Sequence, residues 1–199
     1  MTAAGQVDLI LASTSRYRRD LLARIAARFR QLAPAVDETA LPDESAATLV
    51  VRLALAKAHA VATREPGALV IGSDQAADLD GAILGKPGTA AAAVAQLLAA
   101  SGRVVTFHTA ICLVDARVPQ PQVAWATDRT HVHFRRLQRG EVERYVEREQ
   151  PLDCAGSFKA EALGIALFER IQSDDPTALI GLPLIALCRL LGAAGIEVI

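Results

Sequence analysis

The sequence predicts an α/β fold: one long, curved, mixed β-sheet flanked by helices, arranged as two lobes with a central cleft. Three observations predict it. Two short apolar runs, 9–12 and 68–71, read as buried strands that end in small polar residues. Stretches with helical apolar spacing separate the strands. Two long extended stretches, 103–114 and 122–136, meet at a proline-rich turn, Val118 to Pro121, and such a pair suits a curved sheet spanning two lobes. At 199 residues the chain reads as a single domain over 1–199, long enough to bury a real core.

Composition narrows the class of function. A formal net charge of −1 argues against a generic nucleic-acid or anionic-membrane binder, because such proteins usually carry a basic surplus. The 52 % hydrophobic content is swollen by alanine, and no segment approaches the roughly 20 apolar residues that cross a bilayer. The opening MTAAGQVD has neither a basic region nor an apolar core, so no secretory signal is expected. Cys112, Cys154 and Cys188 are odd in number and lack a CxxC pair, which disfavours a disulfide framework or a zinc ribbon. A cytoplasmic protein is expected.

The first strand runs into Ser13-Thr14-Ser15 and then RYRR. The first N–H groups of a helix have no intrahelical partners, and the dipole adds positive potential there, so the junction reads as a phosphate cradle. Ser13 or Ser15 can cap the helix, and Arg18 and Arg19 add forked donors suited to phosphate. That helix is expected from about Tyr17 to Phe29, followed by a short strand near 29–32. The next loop carries Asp37-Glu38; Glu38 either faces a metal or is simply solvated. Ser45 opens a second helix to about Thr63, ending ahead of Pro66. Lys57 falls inside its apolar stripe, where a lysine either snorkels out or pairs with a buried acid, or is aimed at a phosphate or carboxylate in a site.

The strand at 68–71 ends in Gly72-Ser73-Asp74-Gln75. Ligands of α/β sheets gather beyond the carboxyl ends of strands, which makes Asp74 the first candidate for chemistry. The chain continues extended from Gln75 to Leu79 and turns at Asp80-Gly81. A strand at 82–84 then leads to Gly85-Lys86-Pro87. The spacing from Gly81 is one short of a P-loop, and proline replaces the Ser or Thr that would meet magnesium. Lys86 is instead held in a stiff loop that can aim one ammonium at a phosphate. A helix is expected at 89–100, closed by Ser101-Gly102.

His131 and His133 share one strand face but lack a third metal ligand, so a solvated face is the better reading. Arg135, Arg136 and Arg139 read as surface. A charged helix at 141–149 precedes CAGSFKAE, 154–161, in which Cys154 has no nearby histidine and reads as a small buried residue. A strand at 164–171, a turn at 173–176, and a last helix from Gly181-Leu-Pro183 through Leu191 complete the chain.

The inventory is three or four cations and two acids near strand or helix ends, with no Ser-His-Asp set and no credible thiol nucleophile. Such cations fit a triphosphate. The acids fit one or two divalent ions, or a general base, since Mg2+ commonly takes one or two protein carboxylates beside phosphate and water.

LASTSRYRRDLL resembles the opening motif of the Maf family of nucleoside triphosphate pyrophosphatases. VDE, the lysine of LAKA, IGSDQ, GKP, CAGSF and GLPL follow in the family's order. The resemblance implies a Maf/ITPase-like fold, a homodimer, and hydrolysis between the α- and β-phosphates with a divalent metal, Mg2+ or Mn2+. It implies that Asp74 is base or metal ligand, that Glu38 is a second ligand, and that Ser13, Arg18, Lys57 and Lys86 bind phosphate. Tyr17, Gln75 and Glu161 depart from the commoner pattern toward the YceF-type branch, associated with 7-methyl-GTP. Methylation at N7 makes guanine a cation, which an aromatic face attracts by about 0.5–2 kcal/mol. A carboxylate at Glu161 can accept from the guanine N1–H and amino edge, a contact whose loss costs about 1–3 kcal/mol. Alternative readings are a pyrophosphatase for standard pyrimidine nucleotides such as dTTP or UTP, or a non-catalytic nucleotide-binding regulator of cell division.

Overall fold

In a computed structural model of the chain, residues 7–199 are described; most of the opening stretch read above for a secretory signal lies outside them. The element order is β1 (Leu9–Ala12), α1 (Arg16–Leu22), β2 (Arg30–Leu32), α2 (Ala46–Ala62), β3 (Leu69–Leu79), β4 (Ala82–Leu84), α3 (Ala90–Ala100), β5 (Val104–Asp115), β6 (Gln122–Phe134), α4 (Arg139–Glu149), β7 (Phe168–Gln172) and α5 (Leu184–Ala193). The strands form a seven-stranded sheet in the order β2-β1-β3-β5-β6-β7, with β4 paired to β3. β1 pairs in parallel with β2 and β3, and every other pairing is antiparallel. The expected mixed α/β sheet flanked by helices is therefore present.

Alternation along the strands assigns the two faces. Ile10, Ala12, Val70, Ala76, Ala110, Cys112 and Val114 pack in one buried cluster with α2. Their neighbours Leu9, Leu11, Leu69, Ile71, Ile111 and Leu113 pack with α1 and α5 in a second. Farther along β3, β5 and β6, Ala77, Leu79, Val105, Phe107, Val132 and Phe134 form a third with α3 and α4. Among the described residues no helix is long and apolar enough to cross a membrane.

Four boundaries differ from expectation. The strand expected at 68–71 runs on without a break to Leu79, because β5 pairs with it along its length, so Asp74 sits in mid-strand opposite Ala110 and not beyond a strand end. α1 ends at Leu22, not near Phe29: short-range bonds from Arg24 N to Leu21 O and from Ile25 N to Leu22 O turn the chain. Ile25 and Phe29 still pack on the core, but from a turn rather than a helix face. Residues Leu163–Leu167 form a one-turn 3-10 segment, so β7 starts at Phe168. A Cβ at Gly164 would lie 2.3 Å from Lys159 O, so the chain folds back too tightly there to run as a strand. Pro183 stands just before α5, as its N-cap, instead of inside it.

Candidate active site

The sheet's middle and the loops beyond it enclose a cavity of about 700 Å³. Ser13, Tyr17, Arg18, Glu38, Lys57, Asp74, Gln75, Lys86 and Glu161 all line it. Residues far apart in the chain thus meet around one space.

Each is placed by local structure. Ser15 caps α1 by accepting the Arg18 N–H at 3.3 Å, and Ser13, buried, accepts the Ser15 N–H at 3.1 Å. Of the two caps open in the sequence, Ser15 is the one used. Arg18 turns inward, donating through Nε to Gly181 O at 2.9 Å. Burial pushes its pKa down, opposed by the charges of Asp74 and Glu38, and the guanidinium stays charged. Arg19 points away, pairing with Asp20 at 2.9 Å, and does not line the cavity.

Lys57 is the buried centre of the acid cluster: its Nζ lies 2.6 Å from Asp74 Oδ1 and 2.9 Å from Glu38 Oε1. Both of its partners are acids of the cavity wall. The Glu38 loop is tied down by Arg52, which donates to Thr39 O and to both oxygens of Glu44. That ion pair holds the Glu44 carboxyl down at about 2. Lys86 is exposed in the loop after β4, with Gln96 donating to the neighbouring Gly85 O at 3.2 Å, and makes no ion pair among the described residues.

At the other end, Tyr17 carries an unforeseen partner. The Arg16 guanidinium lies 4.8 Å above its ring and donates to its hydroxyl at 2.8 Å. Burial raises the Tyr17 pKa, with the Arg16 hydrogen bond opposing. Gln75 commits its amide nitrogen to Ala178 O at 2.8 Å, Leu179 O at 3.1 Å and Thr109 Oγ1 at 3.1 Å. Glu161 is exposed, at the end of a loop anchored by Phe158 edge-on to Phe107 and Phe168 and by Lys159 N–H on the Tyr145 hydroxyl. Cys154 lines the cavity beside Tyr17, and its thiol is pushed up to about 11 by burial.

Sequence reasoning missed Arg16, Asp153 and the Gly181 carbonyl as parts of the cavity wall. Arg16 stood in the same cationic run and was legible as a charge; a backbone carbonyl carries no signal in residue type. His131 bonds Thr106 and His133 bonds Gln172, away from the cavity. Among the described residues no group of three or more His, Cys, Asp or Glu is placed to hold a metal.

A cavity lined by Arg18 and Lys86, with two acids on one ammonium and the helix start of α1 at its wall, defines a protein that can hold a polyphosphate. Comparison with known proteins is more specific. A family profile described as Maf-like protein matches residues 8–194, and the chain belongs to the Maf family. It is 58 % identical over 187 residues to a protein of Xanthomonas oryzae pv. oryzae named 7-methyl-GTP pyrophosphatase, covering 94 % of this chain and 96 % of that one. Proteins of the same name from Aromatoleum aromaticum and Cupriavidus metallidurans are 56 % and 53 % identical, covering 94 % and 98 % of this chain and 96 % and 97 % of theirs. Among solved structures, the Staphylococcus aureus Ham1 protein is similar with TM-score 0.44 and 18 % identity, over 64 % of this chain and 71 % of that one.

Proposed function

We propose that the chain is a single-domain hydrolase of acid anhydrides that splits 7-methyl-GTP between the α- and β-phosphates, releasing 7-methyl-GMP and pyrophosphate. The observation that carries this reading is the meeting of Arg18, Lys86 and the Glu38–Lys57–Asp74 cluster on one cavity. The printed name of the relatives, at 53 to 58 % identity over nearly the whole chain, supports the substrate.

The phosphate chain lies against Arg18 and Lys86, which balance its charge, and takes a hydrogen bond from the hydroxyl of Ser13. Asp74 is held through Oδ1 by Lys57, which leaves its second oxygen for one of two tasks: to take a proton from the attacking water, or to ligate a divalent ion. As the water oxygen bonds to phosphorus, the bridging oxygen departs with pyrophosphate; positioning and charge neutralisation carry most of such a step. Glu38 and Asp74 each spend one oxygen on Lys57; their second oxygens are hard donors of the number Mg2+ or Mn2+ uses beside phosphate and water, and would hold a divalent ion. Bound there, it supplies further charge neutralisation and a more acidic water. At the base end, Glu161 accepts from the guanine edge, while Gln75 shapes the wall through the 178–179 turn. A cytoplasmic homodimer acting on a small-molecule nucleotide, with neither nucleic acid nor membrane as partner, completes the proposal.

Asp74→Asn is expected to lower kcat by about a hundredfold or more while nucleotide binding persists, and a chelator is expected to stop pyrophosphate release until Mg2+ or Mn2+ is restored. Full turnover by the Asn variant refutes the catalytic assignment. Equal kcat/KM for UTP and 7-methyl-GTP refutes the base assignment.

A further inference from the structure

The turn at 178–181 is fastened to the sheet by side chains that have no place in the reaction above, and Arg18 hangs from the same turn. Ser73, wholly buried, sets its Oγ 3.0 Å from Gly181 O and 2.8 Å from Ala110 O. Gln75 donates to Ala178 O and Leu179 O, and Thr109 Oγ1 donates to Ala178 O at 3.1 Å. On the far side, buried Asp175 takes the Thr177 N–H and hydroxyl on Oδ1, at 3.0 and 2.6 Å, and the Ile185 N–H on Oδ2 at 2.7 Å. Thr177 Oγ1 accepts the Leu184 N–H at 2.8 Å and lies 2.9 Å from Leu182 O. The turn is thereby locked to β3, β5 and the start of α5.

What the lock holds in place is one carbonyl. Gly181 has φ 118, where only glycine is unstrained, and a Cβ there would sit 3.5 Å from Arg18 Nε. With Nε bound to a fixed oxygen, one edge of the planar guanidinium is settled and its terminal nitrogens can offer their hydrogens in only one direction. Ser73 also directly precedes Asp74 on β3, so a single strand registers the carboxylate and, through Gly181, the guanidinium. A half-buried cation held this way needs no reorganisation when charge develops beside it.

We infer that Ser73 and Thr177 are positioning residues that act through the Gly181 carbonyl to aim Arg18 at the phosphates; the inference rests on the proposed bracing role of Arg18. Ser73→Ala and Thr177→Val lower kcat/KM for 7-methyl-GTP by about ten- to a hundredfold, the usual loss when a support behind a functional group is removed. Thr177→Ser keeps the hydroxyl and restores turnover to within about threefold of the unaltered enzyme, by the same reasoning.

The deciding measurement is a double-mutant cycle with Arg18→Lys, which keeps the cation but has no Nε to offer Gly181. In that background Ser73→Ala is expected to lower kcat/KM by less than about twofold, because the effect it transmits is already gone. Equal fold losses in the two backgrounds, or no recovery in Thr177→Ser, overturn the positioning role, since a merely structural defect adds independently of Arg18. Undiminished turnover by Arg18→Lys alone overturns the bracing role itself, and the inference with it.

Discussion

Arg16 sets the most specific expectation at the scale of the residue. Its guanidinium covers the Tyr17 ring at 4.8 Å and is itself exposed, so a base made cationic by N7 methylation meets a like charge on the ring face that would attract it. Asp153 is near enough to offset part of that charge. Arg16→Ala should therefore raise the ratio of kcat/KM for 7-methyl-GTP over GTP by about two- to fivefold, the size of one exposed cation–π contact. Steady-state release of pyrophosphate from the two substrates measures it, and an unchanged or smaller ratio contradicts the argument. The residues lining the cleft were legible because their types break the local pattern. Lys57 interrupts an apolar stripe, Asp74 follows a buried apolar run, and Lys86 is pinched between Gly85 and Pro87. The orientation of Gln75 was not legible, since carbonyls about a hundred residues later decide it.

At the scale of the element, the contact between α2 and β3 brings Lys57 to Asp74, and Gly72 permits it. A Cβ at Gly72 would lie 2.2 Å from Ala54 O and 2.8 Å from Ala58 N, both backbone atoms of α2 that cannot step aside singly. Gly72→Ala must push the helix off the strand. The expected result is a loss of about 1–3 kcal/mol from overpacking, together with a fall in turnover as the Lys57–Asp74 contact at 2.6 Å opens. Thermal melts and kcat on the same preparation test both halves; an unaltered melting temperature would show that the approach is looser than drawn. Strand and helix types were readable from period, and α2 runs close to its expected span because Ser45 caps it. The end of α1 was not readable. Ile25 and Phe29 keep helical spacing in sequence yet pack from a turn, so apolar periodicity outlasted the helix.

For the whole molecule, the order of strands was beyond the sequence even where the strands were not. No local pattern says that β3 takes parallel β1 and antiparallel β4 along one edge and antiparallel β5 along the other, because pairing is decided between distant segments. That arrangement has an energetic consequence. The cavity wall is assembled from the β1–α1 junction, α2, β3, the loop after β4, the 153–161 loop and the 178–181 turn, so a nucleotide in it touches nearly every unit that must separate on unfolding. Ligand that binds only the folded state stabilises it by about 2.7 kcal/mol at a hundredfold excess over Kd. For a chain of this size that is a rise of about 5–10 °C in Tm. The Asp74→Asn variant, which should keep substrate intact, is the protein to use. With saturating 7-methyl-GTP its single unfolding transition is expected to move up as one step, with GTP giving a smaller shift at equal concentration. A transition that ignores both nucleotides, or that splits so only one half of the sheet is protected, means the cleft does not clasp a nucleotide across its walls.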